Sequence, residues 1–271
     1  MFARFVAVPL LAVGAAAVLA PSAAPVVTVT ARDFAFDAPD TIAAGPTTIR
    51  LVNRGPDLHH VALVQLGAHT ADEYLKAIQK GAPPAWARDM GGPNTPAPGK
   101  ESSATVTLTS GNYIIVCWIP ASDGVMHVKK GMLKPITVVG AREAKATPAA
   151  AAPAADVTLA LTDYTFTLSK PLLAGTQTIR VRNDAEQPHE ILLARLAPGK
   201  TAADLLAWLE KQQGPPPGEP IGGTTGMATG IVNDLTVTLT PGEYAFICFL
   251  PDAEDGKPHF THGMIQQVSI R

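Results

Sequence analysis

One four-residue constellation occurs twice in this chain of 271 residues: His59, Cys117, His127 and Met132, then His189, Cys248, His259 and Met264. The chain has two cysteines, and each ends the same phrase, Gly111-Asn112-Tyr113-Ile114-Ile115-Val116-Cys117 and Gly242-Glu243-Tyr244-Ala245-Phe246-Ile247-Cys248. The repeat extends well beyond them. Asp33-Phe34-Ala35-Phe36 matches Asp163-Tyr164-Thr165-Phe166, Thr48-Ile49-Arg50 matches Thr178-Ile179-Arg180, Asn53 matches Asn183 and His59 matches His189, all 130 positions apart. The cysteines lie 131 apart and the methionines 132. Self-similarity over such a span predicts two copies of one folding unit.

Between the copies, residues 141–156 are mostly Ala and Pro, too poor in large apolar side chains to build a core, and read as an extended interdomain linker. It leaves domains at 26–140 and 157–271, each of about 115 residues and able to bury one core. A spacer of this kind could hold the two halves tens of ångströms apart unless they dock. Residues 1–22 read as a signal peptide: Arg4 is a short basic start, Phe5 to Ala20 is an uncharged apolar run, and cleavage after Ser22 suits the small residues there. A retained membrane anchor is the alternative, although the run is short for a span. A periplasmic or secreted protein follows, with no membrane span once the signal is cleaved. The net charge of −2 gives no reason to expect nucleic acid as a partner.

Strand patterns dominate. Val26 to Thr30, Thr47 to Val52, Val61 to Leu66, Ser103 to Thr109, Tyr113 to Ile119 and Ile136 to Val139 are β-branched or alternating runs bounded by turn residues. Val157 to Leu161, Thr178 to Val181, Ile191 to Leu196, Thr236 to Thr240, Tyr244 to Leu250 and Ile265 to Ile270 repeat the series. Six or more short strands per copy predict an antiparallel sandwich. One helix interrupts each copy. Thr70 with Glu73 forms a capping-box pattern, the helix running to Lys80 and stopping at Gly81; Thr201 with Asp204 starts the second, which stops at Gly214. The Gly/Pro-rich stretches 81–99 and 214–230 read as loops.

A thiolate, two imidazoles and a thioether are the donors of a mononuclear blue-copper centre. Both halves resemble the cupredoxin family, the fold of plastocyanin and azurin. The resemblance rests on Asn53 followed by His59, Asn183 followed by Pro188-His189, the Gly-x-Tyr-x-x-x-Cys phrases, and His-x-x-x-Gly-Met at His127 to Met132 and His259 to Met264. It implies a mainly β chain of two tandem Greek-key sandwiches, each with a short helical insert. By the same resemblance, His59, Cys117, His127 and Met132, and His189, Cys248, His259 and Met264, would each hold one copper for electron transfer or copper handling, with a redox partner protein. The intervals from cysteine to second histidine, ten and eleven positions, are longer than the family's.

Each candidate also has a plain structural reading. His59 and His189 could be strand-edge histidines, and Cys117 and Cys248 buried inert thiols or, in an exported protein, a disulfide. Met132 and Met264 could be core filler. His60 is a weaker candidate, since strand neighbours point to opposite faces and Glu190 replaces it in the second copy. His262, with Lys130 in its place, reads as a surface residue, and Asp252, Glu254 and Asp255 read as solvated. Trp118 and Phe249, each after a cysteine, would shield the site, present a docking surface or pack in the core. A metal-free cupredoxin-like interaction module therefore remains the alternative to copper. An enzyme is not expected: none of the seven histidines forms the His-x-His pair of a multicopper oxidase, and hydrolase and metalloprotease signatures are missing.

Overall fold

The computed structural model describes residues 23–140, 143, 152–211 and 213–271. The signal-peptide reading of 1–22 and most of the linker lie outside the described residues.

The first half runs β1 (Val26–Arg32), β2 (Ala35–Asp37), β3 (Thr41–Ala43), β4 (Gly45–Asn53), β5 (Ala62–Gly67), α1 (Ala71–Ile78), β6 (Arg88–Gly91), β7 (Glu101–Leu108), β8 (Gly111–Val116) and β9 (Leu133–Val139). The second runs β10 (Val157–Thr162), β11 (Thr165–Leu168), β12 (Gly175–Asn183), β13 (His189–Leu196), α2 (Ala202–Lys211), β14 (Gly218–Met227), β15 (Val232–Leu239), β16 (Gly242–Ile247) and β17 (Ile265–Ile270). The architecture is the mainly β pair of cupredoxin-like sandwiches expected. It is not wholly antiparallel: β1 pairs with β4, β3 with β9 and β10 with β12 in parallel. Among the described residues no helix is long and apolar enough to cross a membrane.

Alternating burial along the strands fills one core per sandwich. Val29, Ile49, Leu51, Leu63, Val106, Ile115, Cys117 and Met132 fill the first, and Leu159, Leu161, Ile179, Val181, Leu193, Phe246, Cys248 and Met264 the second. The helices cover outer sheet faces: Tyr74 and Ile78 pack on Val64, Ile114 and Val116, and Leu205 packs on Ala194, Ala245 and Ile247. Both helices start as the sequence predicts, with Thr70 capped reciprocally by Glu73 and Thr201 by Asp204.

The halves are not held apart. One sheet reads β11-β10-β12-β15-β7-β4-β1-β2 and the other β17-β16-β13-β14-β6-β5-β8-β9-β3, so both sheets cross from one half to the other. The crossing is a pseudo-two-fold. In the first sheet Ala104 pairs with Leu235, its own repeat counterpart, and Pro93 meets its counterpart Thr224 beside the second. Met90 pairs with Met227 and Pro96 with Ile221, which the same axis exchanges.

The segments expected to be loops build this junction. Gly92 and Gly223 sit at φ +133° and +136°, and a Cβ there would lie 2.3 Å from the Val61 carbonyl oxygen and 1.9 Å from that of Ile191. Glycine lets β6 and β14 press against the backbones of β5 and β13. Their composition reads as loop because the close approach, and not a turn, demands the glycines. Hydrogen bonds cross the junction: Asn94 N–H donates to Gly223 O (3.0 Å), Thr225 N–H to Gly92 O (2.9 Å) and Asn233 Nδ2 to Met90 O (3.1 Å), while the buried Asn233 Oδ1 has no partner.

Candidate metal centres

Each first histidine is delivered by an asparagine-pinned turn. Asn53, fully buried at the end of β4, donates from Nδ2 to Asp57 O (2.8 Å) and accepts Gly55 N–H (3.0 Å). Asn183 does the same with Gln187 O (2.9 Å) and Ala185 N–H (3.1 Å). The turn leads to His59 and His189, both wholly buried.

Each cysteine lies just past a strand, β8 or β16, and the long interval to the second histidine is a hairpin. Pro120 bridges to Met126, His127 N–H donates to Ile119 O (2.9 Å) and Val128 N–H to Cys117 O (2.8 Å). In the second half Pro251 bridges to Pro258, His259 N–H donates to Leu250 O (2.9 Å) and Phe260 N–H to Cys248 O (3.0 Å). The extra residues project outward and the chain returns in register, so the histidine arrives beside the cysteine as a short loop would bring it. A single 3₁₀ turn at His127–Lys130 and at His259–His262 then ends on a left-handed glycine, Gly131 or Gly263.

The donor atoms converge. In the first half His59 Nδ1 lies 3.2 Å from His127 Nδ1, and Cys117 Sγ 3.5 Å from His127 Nδ1. In the second, Cys248 Sγ lies 3.3 Å from His259 Nδ1 and 3.9 Å from His189 Nδ1. Within each trio one donor atom per residue lies within 4.8 Å of the others. An ion about 2.0–2.1 Å from nitrogen and about 2.3 Å from sulfur would set nitrogens about 3.3–3.6 Å apart and nitrogen to sulfur about 3.5–3.8 Å. The observed spacings match to within a few tenths of an ångström, so either trio could hold a metal ion. Met132 and Met264 are fully buried in the same cores as their cysteines, and their carbonyls accept the Cys117 and Cys248 N–H groups, each at 3.2 Å.

The outer nitrogens fix the rings. His59 Nε2 bonds Asp33 Oδ1 at 2.8 Å and His189 Nε2 bonds Asp163 Oδ1 at 2.9 Å, so each ring keeps its proton outward and turns the Nδ1 lone pair inward. His259 Nε2 faces Gln187 Oε1 at 3.1 Å, whereas the buried His127 Nε2 has no partner. Sequence reasoning registered Asp33 and Asp163 only as repeat markers. A charged residue kept at a fixed offset was the available signal.

His60 and Glu190 face away from the trios, yet both are buried. His60 Nε2 accepts the Trp118 N–H at 2.9 Å, and Glu190 Oε1 accepts the Phe249 N–H at 3.0 Å. Asp252 is not solvated as expected. It is 6% exposed and accepts from Tyr164 Oη (2.5 Å) and Gln187 Nε2 (3.0 Å), which hold its carboxyl well below the usual range. Asp252, Asp255 and His262 form a third, more exposed grouping, already occupied by these bonds and by Lys257 on Asp255. Trp118 packs near Tyr74 and Phe249 against Phe260, beneath the helices.

Burial shifts both thiols and three of the imidazoles toward their neutral forms. It pushes the Cys117 thiol up to about 11 and raises the Cys248 thiol further, with Glu190 adding to the effect. It lowers His127 and His189, and takes His259 down to about 4. Both cysteines are free, in separate cores, which removes the disulfide reading.

No model of a known protein family matches the chain, and no curated protein matches it. Solved structures similar to it include a reduced auracyanin from the photosynthetic bacterium Roseiflexus castenholzii, 20% identical, with 44% of this chain and 99% of that one covered and a TM-score of 0.30. A multicopper oxidase is 15% identical over 93% of each chain, with a TM-score of 0.27. A copper nitrite reductase from Nitrosomonas europaea is 12% identical over 92% of this chain and 94% of its own, with a TM-score of 0.26.

Proposed function

We propose that the chain is an exported protein holding one mononuclear copper in each half and passing single electrons to and from a redox partner protein. The observation that carries the reading is the doubled convergence of one sulfur and two Nδ1 atoms, each histidine ring turned inward by its own outer contacts or hairpin. Bound copper would supply one-electron chemistry. The chain's own residues do the rest. His59, Cys117 and His127, and His189, Cys248 and His259, would be the strong ligands, with Met132 and Met264 as weak fourth donors. Asp33 and Asp163 hold two of the rings, and the sandwich cores exclude water. A rigid, buried donor set that serves both oxidation states suits electron transfer with little movement.

Anaerobic titration of the metal-free protein with Cu(II) tests this. Two equivalents should bind and produce strong visible absorption from thiolate-to-copper charge transfer. A colourless, copper-free product with both thiols still free would overturn the reading and leave a metal-free interaction module.

A further inference from the structure

The two centres share ligands but not surroundings. A run of aromatic rings leads away from the first. Trp118 follows Cys117 directly, and its backbone N–H is held by His60 Nε2 at 2.9 Å. Its ring meets that of Tyr74 on α1 edge to face, with centroids 6.4 Å apart. Tyr74 meets Trp86 in the same way at 6.2 Å, and Trp86 stacks on His69 at 4.0 Å. Edge-to-face pairs at such centroid distances are in contact. The His69 side chain is 40% exposed, Trp86 and Trp118 are half-buried, and Tyr74 is wholly buried between them. One line of touching rings therefore joins the surface to the residue beside a candidate sulfur ligand.

The second half has no such line. Counting from the helix caps and from the junction, Lys200, Leu205, Pro217 and Phe249 stand in the places of His69, Tyr74, Trp86 and Trp118. Phe249 turns to Phe260, and Trp208 on α2 donates its Nε1–H to Gly214 O at 3.0 Å. Packing does not account for the difference, since leucine and proline fill the same places in a sandwich of the same fold. The rings differ in chemistry too: indole and phenol give up an electron far more readily than phenylalanine or aliphatic side chains. The buried Tyr74 hydroxyl has no hydrogen-bond partner, and burial, with Asp89 adding to it, holds its proton on. With no base to take that proton, Tyr74 is a bridge between the two indoles and not a radical stop.

We propose that Trp86, Tyr74 and Trp118 are an electron conduit between the surface at His69 and the Cys117 centre, through which the first half alone meets a strong one-electron oxidant. The oxidant takes one electron from Trp86, the vacancy passes through Tyr74 to Trp118, and one electron from the Cys117 centre fills it. The oxidant gains one electron, the centre loses one, no proton moves, and the rings end as they began. The inference rests on the copper reading above.

Flash photolysis of reduced, single-copper proteins tests it. A ruthenium tris-bipyridyl photosensitiser, made a strong oxidant by the flash and an external acceptor, is attached at His69→Cys in Cys248→Ser protein. The comparison carries it at Lys200→Cys in Cys117→Ser protein, the same place in the other half. Growth of the thiolate-to-copper absorption should be at least an order of magnitude faster from position 69 than from position 200. Tyr74→Leu, which installs the second half's residue, should remove that advantage, whereas Tyr74→Phe keeps the ring and should keep the rate. In metal-free protein the flash at position 69 should leave an indole radical, formed at least an order of magnitude more slowly in Trp86→Phe. Equal rates from the two positions, an undiminished rate in folded Tyr74→Leu, or no indole radical in the metal-free protein would overturn the inference alone. Failure to take up copper at all, with the indole radical still formed, would instead overturn the functional reading beneath it.

Discussion

His59 and His189 each commit one ring nitrogen to an aspartate, and that contact decides which nitrogen faces inward. Replacing Asp33 or Asp163 by alanine frees the ring to turn and to change tautomer. Copper affinity at the affected centre should fall about 10–100-fold in a chelator competition, with the other centre unchanged. Proton linkage gives a second prediction. The cysteines are held as thiols, the Cys117 group up at about 11, while burial keeps His127, His189 and His259 neutral. Binding therefore releases a proton from the thiol and none from those imidazoles. Apparent affinity at each centre should rise about tenfold per pH unit between about pH 6.5 and 8.5, read by the same competition. A flat profile would contradict the thiol assignment. The ligand types were legible because they repeat with their spacing. His60 and Glu190 escaped because the repeat changes residue type while keeping the acceptor role. Asp252 was misread because its neighbours are turn residues, while its partners Tyr164 and Gln187 lie 88 and 65 positions away.

Among the elements, the strands and helix caps were readable from alternation and from the Thr70–Glu73 and Thr201–Asp204 pairs. β6 and β14 were not, because glycine and proline usually signal chain reversal and here signal close packing. Gly223→Ala tests that assignment. Its Cβ would meet the Ile191 carbonyl oxygen at 1.9 Å in a backbone conformation that L residues avoid. A loss of at least about 2 kcal/mol of unfolding free energy in urea is expected. An alanine variant as stable as wild type would mean that β14 does not press on β13 as described. The cysteine-to-histidine hairpins were hidden for a different reason. Interval length alone does not say whether a loop strays or folds back on itself, and only the Pro120–Met126 and Pro251–Pro258 bridges decide it.

At the scale of the molecule, the repeat disclosed two units but not their docking, since the pairing that joins them runs about an axis on which residues meet their own repeat counterparts. Ala104 on Leu235 and Pro93 by Thr224 look like nothing more than repeat partners in the sequence. Such a junction hides two sheet edges in each half. Residues 152–271 expressed alone expose β14 and β15 and should form a homodimer through them, seen as twice the monomer mass in light scattering. A stable monomer would argue against the shared sheets. The central claim is the doubled copper centre, and copper stoichiometry after loading and desalting tests it most directly. Wild type should hold two coppers per chain, Cys117→Ser and Cys248→Ser one each, and the double variant none. Wild type that keeps no copper, or single variants that keep as much as wild type, would contradict it.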